Sequence, residues 1–457
     1  MLAPINKVPR EILALVPDFL DTCDRNKGVI ALTHVCRAWR EVFVSRASLW
    51  SDFNCWNEER TKVYFERSKS SPINLSLDLI WGNPPCDSFF QIIPHATRRL
   101  KSLFIMGPLG SVEVKVLTRV ASCLSHPAPL LEHLSIRSDH RTMPAGCSAL
   151  LFALFNGDLS SLRTLRLEAV DTEYPWRNML NLTSFTLYFI LPGVASIGKL
   201  LDFFKNAPCL EEIKLCFAIP TAGAQNRRVV SLECLKSMEI TDDDPSALLN
   251  HLLIPVGAKL GIQAQVTPTL IGGCLPRSLD NLKNFSNFTT IRLHCTDMEF
   301  SGPNGQVNIT PMSYGGDPTE LTLRYLAQFD TSKTERLEIE DGYLPSKEPL
   351  YQALLPMKDL RTLKLSRCTN PDIFICALQP ATSSLEAMVC PKLEKIILVL
   401  PFEETFDVTN TIEMAAARAS RGKKLRTIGV IDGRGGAELD VSELRKHVWN
   451  VEYRHEV

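Results

Sequence analysis

One short pattern, apolar-x-x-apolar-x-apolar, recurs eleven times along the chain, with the copy at Thr334 weaker than the others, and it limits the possible folds more than any other feature. Leu162-Arg-Thr-Leu165-Arg-Leu167 is a clear copy of it. The last two apolar residues of a copy alternate with polar ones, so both side chains face one side of a short β-strand. A single unit buries too little apolar surface to be stable, whereas stacked units share a continuous core. The pattern therefore predicts a ladder of strands. The copies begin at Leu100, Leu131, Leu162, Leu182, Leu210, Leu235, Phe288, Thr334, Leu360, Leu393 and Leu425.

Most copies begin 20–33 residues apart, and the two longest gaps each have room for a further unit. We expect these degenerate units near Leu260–Ala264 and Gln306–Ile309. Ser71–Leu79 alternates with a period of two and predicts an opening strand. The series resembles the leucine-rich repeat, with units somewhat longer than the usual ~20–29 residues. The resemblance implies an α/β repeat solenoid, a leucine-rich repeat horseshoe.

Segments with helical spacing separate some of the predicted strands. Ile197–Asn206 and Pro245–Leu253 each place apolar residues at helical intervals. A repeat array also needs its ends covered. Val441–Trp449 predicts a closing helix for this purpose, with Ser442 as its N-cap.

Composition excludes several classes of protein. The 457 residues carry 50 Lys and Arg against 51 Asp and Glu, a balance that argues against a nucleic-acid binder. The 14 cysteines are scattered from Cys23 to Cys390 without a CxxC pair, which indicates reduced thiols. The N-terminus lacks a signal-peptide core, and no apolar stretch reaches membrane-spanning length. We expect a protein of the cytoplasm, the nucleus or both, with no nucleic-acid or membrane partner.

No catalytic or metal-binding motif is found, since GxSxG, HExxH, Walker and dinucleotide glycine patterns are all absent. Gly433–Gly436 lacks a surrounding strand-loop-helix pattern, so we interpret it as a turn. Asp242–Asp244 precedes a proline and is typical of a turn and helix N-terminus. His133, His140 and His294 have no second ligand pair at zinc spacing. The sequence therefore predicts a protein that is not an enzyme and has no cofactor or metal site.

The segment before the repeats has helical periodicity instead. A first helix is expected to start at Pro9 and to be kinked or shortened by Pro17. The polar stretch Asp21–Gly28 separates it from a short second helix at Val29–His34. Val35–Arg46 predicts a third helix. Three helices of this length bury too little apolar surface to be stable alone. We therefore expect the module to pack against a partner or a neighbouring domain.

Particular strings in this segment resemble the F-box family. They are Pro9-Arg10-Glu11-Ile12-Leu13, Leu32-Thr33-His34-Val35-Cys36-Arg37-Ala38-Trp39-Arg40, and Leu49-Trp50. An F-box followed by irregular leucine-rich repeats is similar to many large fungal F-box proteins. Two features depart from the family pattern. Val8 stands where the family usually has Leu, and Asp21–Gly28 is longer than the usual link between the first two helices.

The resemblance implies a substrate-receptor subunit of an SCF-type ubiquitin ligase. The F-box would dock on the Skp adaptor, which attaches it to a cullin, and the repeats would bind a protein target. An alternative interpretation is that the same residues form only the core of a helical cap for the repeats. The positions that match the family's adaptor-facing surface, or would support it, are Pro9, Ile12, Leu13, Val16, Leu20, Leu32, Val35, Cys36 and Trp39.

Target recognition is expected on the concave sheet, at strand positions that lie between and beside the apolar ones. The candidates mix positive, negative and aromatic residues, so no single charged class of ligand is implied. The last strands are the most apolar. Their exposed apolar residues could form a partner site, or the C-terminal cap could cover them, and both interpretations stay open. The candidate target-binding residues are Phe104, Arg137, Arg166, Tyr188, Lys214, Arg292, His294, Lys364, Ile397 and Val399.

These expectations divide the chain into four parts. Residues 4–53 form the F-box module, 54–95 a linker with the first strand of the array, 96–437 the irregular repeats and 438–457 a C-terminal cap. The alternative function is a leucine-rich-repeat interaction scaffold without a ubiquitin-ligase role.

Overall fold

A computed structural model of the protein shows a mixed α/β chain. It divides into two compact units, Met1–Cys234 and Leu235–Val457, and each contains an open, mostly parallel β-sheet. The structure describes residues 8–20, 25–54, 57–79, 85–107, 114–138, 154–169, 179–189, 196–220, 228–266, 275–276, 278–294, 297–313, 319, 322–323, 326, 329–343, 346–379, 388–400, 406, 408–432 and 440–455. His140 and Gly433–Gly436, considered above as possible sites, lie outside these residues.

Three short helices open the first unit: α1 (Arg10–Leu15), α2 (Arg25–Thr33) and α3 (Arg37–Ser45). α1 passes into a 3-10 turn at Val16–Phe19 because Pro17 has no backbone N–H to continue the helix. The predicted shortening at this proline is therefore confirmed. α2 begins four residues before the predicted second helix.

The strands of the first unit follow the predicted repeats. Its other described helices are α4 (Glu58–Ser68), α5 (Asp87–Ala96), α6 (Val114–Cys123) and α7 (Ile197–Lys205), with 3-10 turns at Ala47–Trp50, Thr97–Arg99 and Leu154–Gly157. Its strands are β1 (Asp52–Asn54), β2 (Ile73–Asp78), β3 (Leu100–Gly107), β4 (His133–Ser138), β5 (Thr164–Glu168), β6 (Ser184–Tyr188), β7 (Glu212–Cys216) and β8 (Val230–Ser231).

Strands β1 to β7 pair in chain order, and every pairing is parallel. Equivalent apolar residues meet across the sheet in register. One such row runs through Leu103, Leu134, Leu165, Phe185 and Ile213, each at most 2% exposed. Rows of this kind form the continuous core that the apolar pattern predicts.

The second unit carries ten strands in one sheet. Its described helices are α8 (Pro245–Leu249), α9 (Glu348–Leu354), α10 (Pro371–Cys376), α11 (Val408–Ser420) and α12 (Leu444–His447), with a 3-10 turn at Lys283–Phe285. Its strands are β9 (Ser237–Asp242), β10 (Leu252–Leu253, outside the sheet), β11 (Lys259–Val266), β12 (Thr290–His294), β13 (Asp297–Gly302), β14 (Gly305–Ser313), β15 (Arg336–Glu340), β16 (Thr362–Ser366), β17 (Lys395–Leu400), β18 (Thr427–Asp432) and β19 (Asn450–His455).

The order of this sheet is β9, β11, β14, β13, β12 and then β15 to β19 in sequence. β13 is antiparallel to both of its neighbours, whereas the other pairings are parallel. The degenerate unit expected near Leu260–Ala264 is present as β11, which pairs with β9. A strand also forms at Gln306–Ile309, within β14, but the prediction of a stacked unit there is wrong, because β12 pairs directly with β15 and β14 lies between β11 and β13. In the described part of the chain, no helix is both long and apolar enough to cross a membrane.

All eleven predicted strands are present, but the ends of the array differ from the predictions. A helix lies within the range predicted for the closing helix, Val441–Trp449, but it spans only Leu444–His447, its N-cap is Glu443 rather than Ser442, and it does not close the array. Val448 is extended, and the backbone N–H groups of Trp449 and Asn450 donate to the carbonyls of Leu425 and Arg426 at the start of β18, so the chain continues as β19. At the other end, β1 precedes the strand predicted to open the array.

A recurring backbone feature follows several strands. Five residues directly after a strand have a positive φ of 48–55°. The N–H of four of them donates to a carbonyl of the next strand at 2.8–2.9 Å, so the ladder gains one more rung. Non-glycine residues rarely adopt this conformation, so the surrounding structure must stabilise it. The five residues are Ala169, Phe189, Phe217, Asp341 and Arg367.

Candidate functional site

The first candidate surface lies on the N-terminal helices. Four large apolar side chains of this short segment are well exposed: Ile12 is 53%, Leu15 49%, Phe19 87% and Val35 52% exposed. We call these four residues the helical face. Several apolar side chains left in water within one short segment mark a surface on which a partner packs.

Buried aromatic residues hold the helices that carry this face. Trp39 is 8% exposed and packs edge-to-face on the fully buried Phe43, with ring centroids 5.5 Å apart. The Nε1–H of Trp50 donates to the carbonyl of Phe43 at 2.9 Å, and the Trp50 ring packs on Tyr64 of α4 at 5.0 Å. The helical segment is therefore fixed to the first strands and to α4 through Trp50.

The nine predicted adaptor-binding residues occupy three kinds of position. Pro9, Ile12 and Val35 are exposed. Leu13 and Trp39 are buried and act by packing. The remaining four, Val16, Leu20, Leu32 and Cys36, are half-buried.

Leu20 has a specific packing role. A Cβ built on Gly28 of α2 would lie 2.7 Å from a methyl carbon of Leu20. The side chain therefore packs directly on the α2 backbone at this glycine, where a larger residue would displace it.

Leu15 and Phe19 belong to the helical face but were not among the predicted adaptor-binding residues. Leu15 is the last residue of α1, and Phe19 ends the 3-10 turn at Val16–Phe19, where the chain has left the α-helix. The proline at position 17 is the sequence signal that could have indicated this change.

The second candidate surface is the side of each sheet opposite the buried rows, which we call the sheet face. In the first unit, Arg137 Nε lies 2.6 Å and Arg166 Nη2 3.3 Å from the same carboxylate oxygen of Glu168. The Arg166 guanidinium also lies 5.0 Å from the ring centroid of Tyr188. Burial opposes ionisation of Glu168, but the hydrogen bonds and charges of Arg137 and Arg166 outweigh it and lower the pKa of this carboxyl. Three of the predicted target-binding residues therefore meet in one cluster around Glu168.

Two phenylalanines beside this cluster were not predicted. Phe189 and Phe217 follow β6 and β7, and their rings stack with centroids 5.6 Å apart and planes 15° apart. Each is 38% exposed, and each has a positive φ. Strand periodicity cannot show this pair, because both residues stand just outside their strands.

The sheet face of the second unit carries alternating charges. Arg292 on β12 lies 3.4 Å from Glu299 and 3.5 Å from Glu338 across its two neighbouring strands. Arg367 bridges Glu340 at 2.7 Å and Asp341 at 2.9 Å.

Asp341 joins a further predicted residue to this network. His294 Nε2 lies 3.2 Å from Asp341 Oδ2. The hydrogen bond from Arg367 is the main cause that lowers the pKa of Asp341. The predicted residues Arg292 and His294 thus contribute to linked ion pairs of mixed sign.

The final strands replace charges with apolar side chains on the same face. Ile397 pairs in register with Lys364, and Val399 with Ile431. Ile397, Val399 and Ile431 are all half-buried. The neighbouring strand β19 presents Glu452 at the position next to Gly429, so the apolar stretch ends there.

The remaining predicted target-binding residues are also on this face. Phe104 pairs in register with Ser135, and Lys214 with Thr186, each on the side opposite a buried row. Phe104 is half-buried and Lys214 is exposed.

Within the described residues, no three His, Cys, Asp or Glu side chains come together to hold a metal ion.

Together the fold and the two surfaces define a mixed α/β protein of stacked strands with a helical N-terminal attachment. No protein-family model matches the chain, and no curated protein shows significant similarity to it.

Proposed function

We propose that this protein is the substrate-recognition subunit of an SCF-type ubiquitin ligase. Helices α1 to α3 form an F-box that docks on the Skp adaptor, and the strands belong to a leucine-rich repeat solenoid whose sheet face binds a protein target. The subunit performs no chemistry itself. It holds target lysines near a ubiquitin-charged enzyme and so raises their effective concentration.

One observation carries the proposal. The F-box-like strings leave Ile12 on α1 and Val35 in the turn between α2 and α3 more than half exposed, whereas Leu13 and Trp39 are buried in the interior of the same segment. Exposure of apolar side chains to water is unfavourable, so a partner that covers them gains binding free energy. The strings thus combine a packed interior with an apolar outer surface, as an adaptor-docking module requires.

The sheet face supports the second half of the proposal. It carries positive and negative side chains side by side, in ion pairs such as Arg137–Glu168 and Arg292–Glu338. The Phe189–Phe217 pair adds exposed aromatic surface. Mixed charge with aromatic side chains suits a polypeptide partner. A nucleic-acid surface would instead carry a basic excess.

The test is reconstitution of the full-length chain with a Skp adaptor and a cullin. Wild type should co-purify with both proteins, and Val35→Asp should lose both. Val256→Asp is the matched control, because Val256 is 53% exposed and Val35 is 52% exposed. Capture of the adaptor without the cullin would favour the scaffold alternative. Failure of wild type to capture either protein would contradict the proposal.

A further inference from the structure

A cleft of about 500 Å³ lies between helices α2 and α3 on one side and α4 on the other. Three arginines line it: Arg40 from α3, and Arg60 and Arg67 from α4. Glu59 is the one carboxylate among its described lining residues, and His34 adds an imidazole. We propose that this cleft binds a small anion with two or more phosphate groups, independently of any role in ubiquitin transfer.

Aromatic rings fix two of these guanidinium groups. The Arg67 guanidinium carbon lies 4.3 Å from the Trp50 ring centroid, and that of Arg60 lies 5.1 Å from the Tyr64 ring centroid. Both rings are only 1% exposed, so they form a rigid floor. A guanidinium stacked in this way keeps its planar N–H edge oriented for a ligand and loses less conformational entropy when it binds.

The three guanidinium groups lack acidic partners. Among the described residues, no carboxylate lies within 4.0 Å of Arg40, Arg60 or Arg67. The Nε–H of Arg40 donates to the carbonyl of Thr33 at 2.9 Å. Its two terminal nitrogens are therefore the donors that a ligand would contact. Arg60 Nε is buried and has no hydrogen-bond partner.

Other arginines of the same unit behave differently. Arg119 also stacks on an aromatic ring, with its guanidinium carbon 3.8 Å from the Phe90 centroid, yet it forms an ion pair with Asp87 at 3.4 Å. Stacking therefore does not by itself leave an arginine unpaired in this protein. The excess positive charge in the cleft is a local feature of a chain whose net charge is -1.

Phosphate matches these donors best. Arginine binds phosphate through two parallel charge-assisted hydrogen bonds, and several arginines together favour an anion of more than one charge. A cleft of about 500 Å³ is within the usual range for small-molecule sites and exceeds what a single phosphate fills. A short polyphosphate or a small molecule with several phosphate groups fits both the charge and the volume.

The test is calorimetric titration of the full-length chain with sodium tripolyphosphate. Wild type should bind it, and Arg40→Gln and Arg60→Gln should each weaken binding about tenfold or more, because a hydrogen bond to a charged group is lost. Arg119→Gln should bind like wild type. Glu59→Gln should bind about two- to fivefold more tightly, because it removes a repulsive charge.

The expected gain for Glu59→Gln separates ligand binding from a loss of folding, which can only weaken the interaction. Thermal unfolding of each arginine variant provides a second check. Absence of binding by wild type would overturn the proposal, as would equal affinity for inorganic phosphate. Equal affinity for hexaglutamate would also overturn it, because the cleft would then select acidic peptides.

Discussion

Val35 and Trp39 lie four residues apart in the F-box-like string, yet 52% of Val35 is exposed whereas Trp39 is only 8% exposed. The two residues therefore contribute in different ways. Val35 is available to a partner, and Trp39 closes the interior against Phe43. Substitutions at the two positions should separate partner contact from helical packing.

Trp39→Ala and Leu13→Ala should both weaken capture of the Skp adaptor by loosening the helices. Loss of a buried Trp or Leu typically costs about 2–5 kcal/mol. Amide hydrogen exchange should therefore become faster throughout α1 to α3 in both variants. Weakened capture with wild-type exchange would show that these side chains contact the adaptor directly. Unchanged capture by both variants would contradict the assignment.

Arg418 should be important for the stability of the second unit. It is fully buried, and it donates to the carbonyls of Val389 at 3.0 Å and Cys390 at 2.8 Å. Burial lowers the pKa of its guanidinium. Arg418→Ala should destabilise the protein by about 2–5 kcal/mol in urea unfolding, because it leaves a cavity and removes a charged donor from two carbonyls, of which that of Cys390 keeps the N–H of Leu393. The exposed Arg426→Ala is the control, and equal midpoints for the two variants would contradict this account.

Glu168 should make stability depend on pH. Its pKa is lowered in the folded state, so its contribution is fully present above the unfolded-state value of about 4.5. The contribution is lost as the pH falls through the lowered folded-state pKa. The difference in Tm between wild type and Glu168→Gln should therefore be constant near neutral pH and shrink in acid. A difference that stays constant down to about pH 3 would contradict the ion-pair cluster.

The cysteines should differ widely in reactivity. Burial raises the pKa of Cys368 to about 12 and that of Cys390 to about 12, whereas Cys209 and Cys234 are exposed. At pH 8 a thiol with a pKa of 12 is ionised to about one part in ten thousand, and the thiolate is the reactive form. Iodoacetamide followed by mass spectrometry should modify Cys209 and Cys234 before Cys368 and Cys390. Early modification of Cys368 or Cys390 in the folded protein would contradict their burial.

The sequence was most informative where one local rule decides the structure. Leu165 and Leu167 alternate within their copy, and both are fully buried on one side of β5. All the remaining copies follow the same rule, so the start of each strand could be predicted to within about two residues. Pro17 likewise indicated the end of α1, because a missing backbone donor has the same effect in any helix.

The features that the sequence did not indicate depend on tertiary contacts. Strand β19 forms because the N–H groups of Trp449 and Asn450 find carbonyls of another repeat, although the local spacing favours a helix. The antiparallel strand β13 is not part of any apolar repeat. Phe189 and Phe217 are brought together by strand register, which no local spacing specifies. The arginines of the cleft come from separate helices and meet only in the folded chain.

The most direct test of the central claim is a binding titration of the purified full-length protein with a purified Skp adaptor. Wild type should bind, whereas Ile12→Asp and Val35→Asp should each weaken the Kd about 30-fold or more, since loss of an interface hot spot costs at least ~2 kcal/mol. Val256→Asp should bind like wild type, and all three variants should keep the wild-type Tm. Failure of the wild-type protein to bind the adaptor would contradict the claim, as would equal Kd values for Val35→Asp and Val256→Asp.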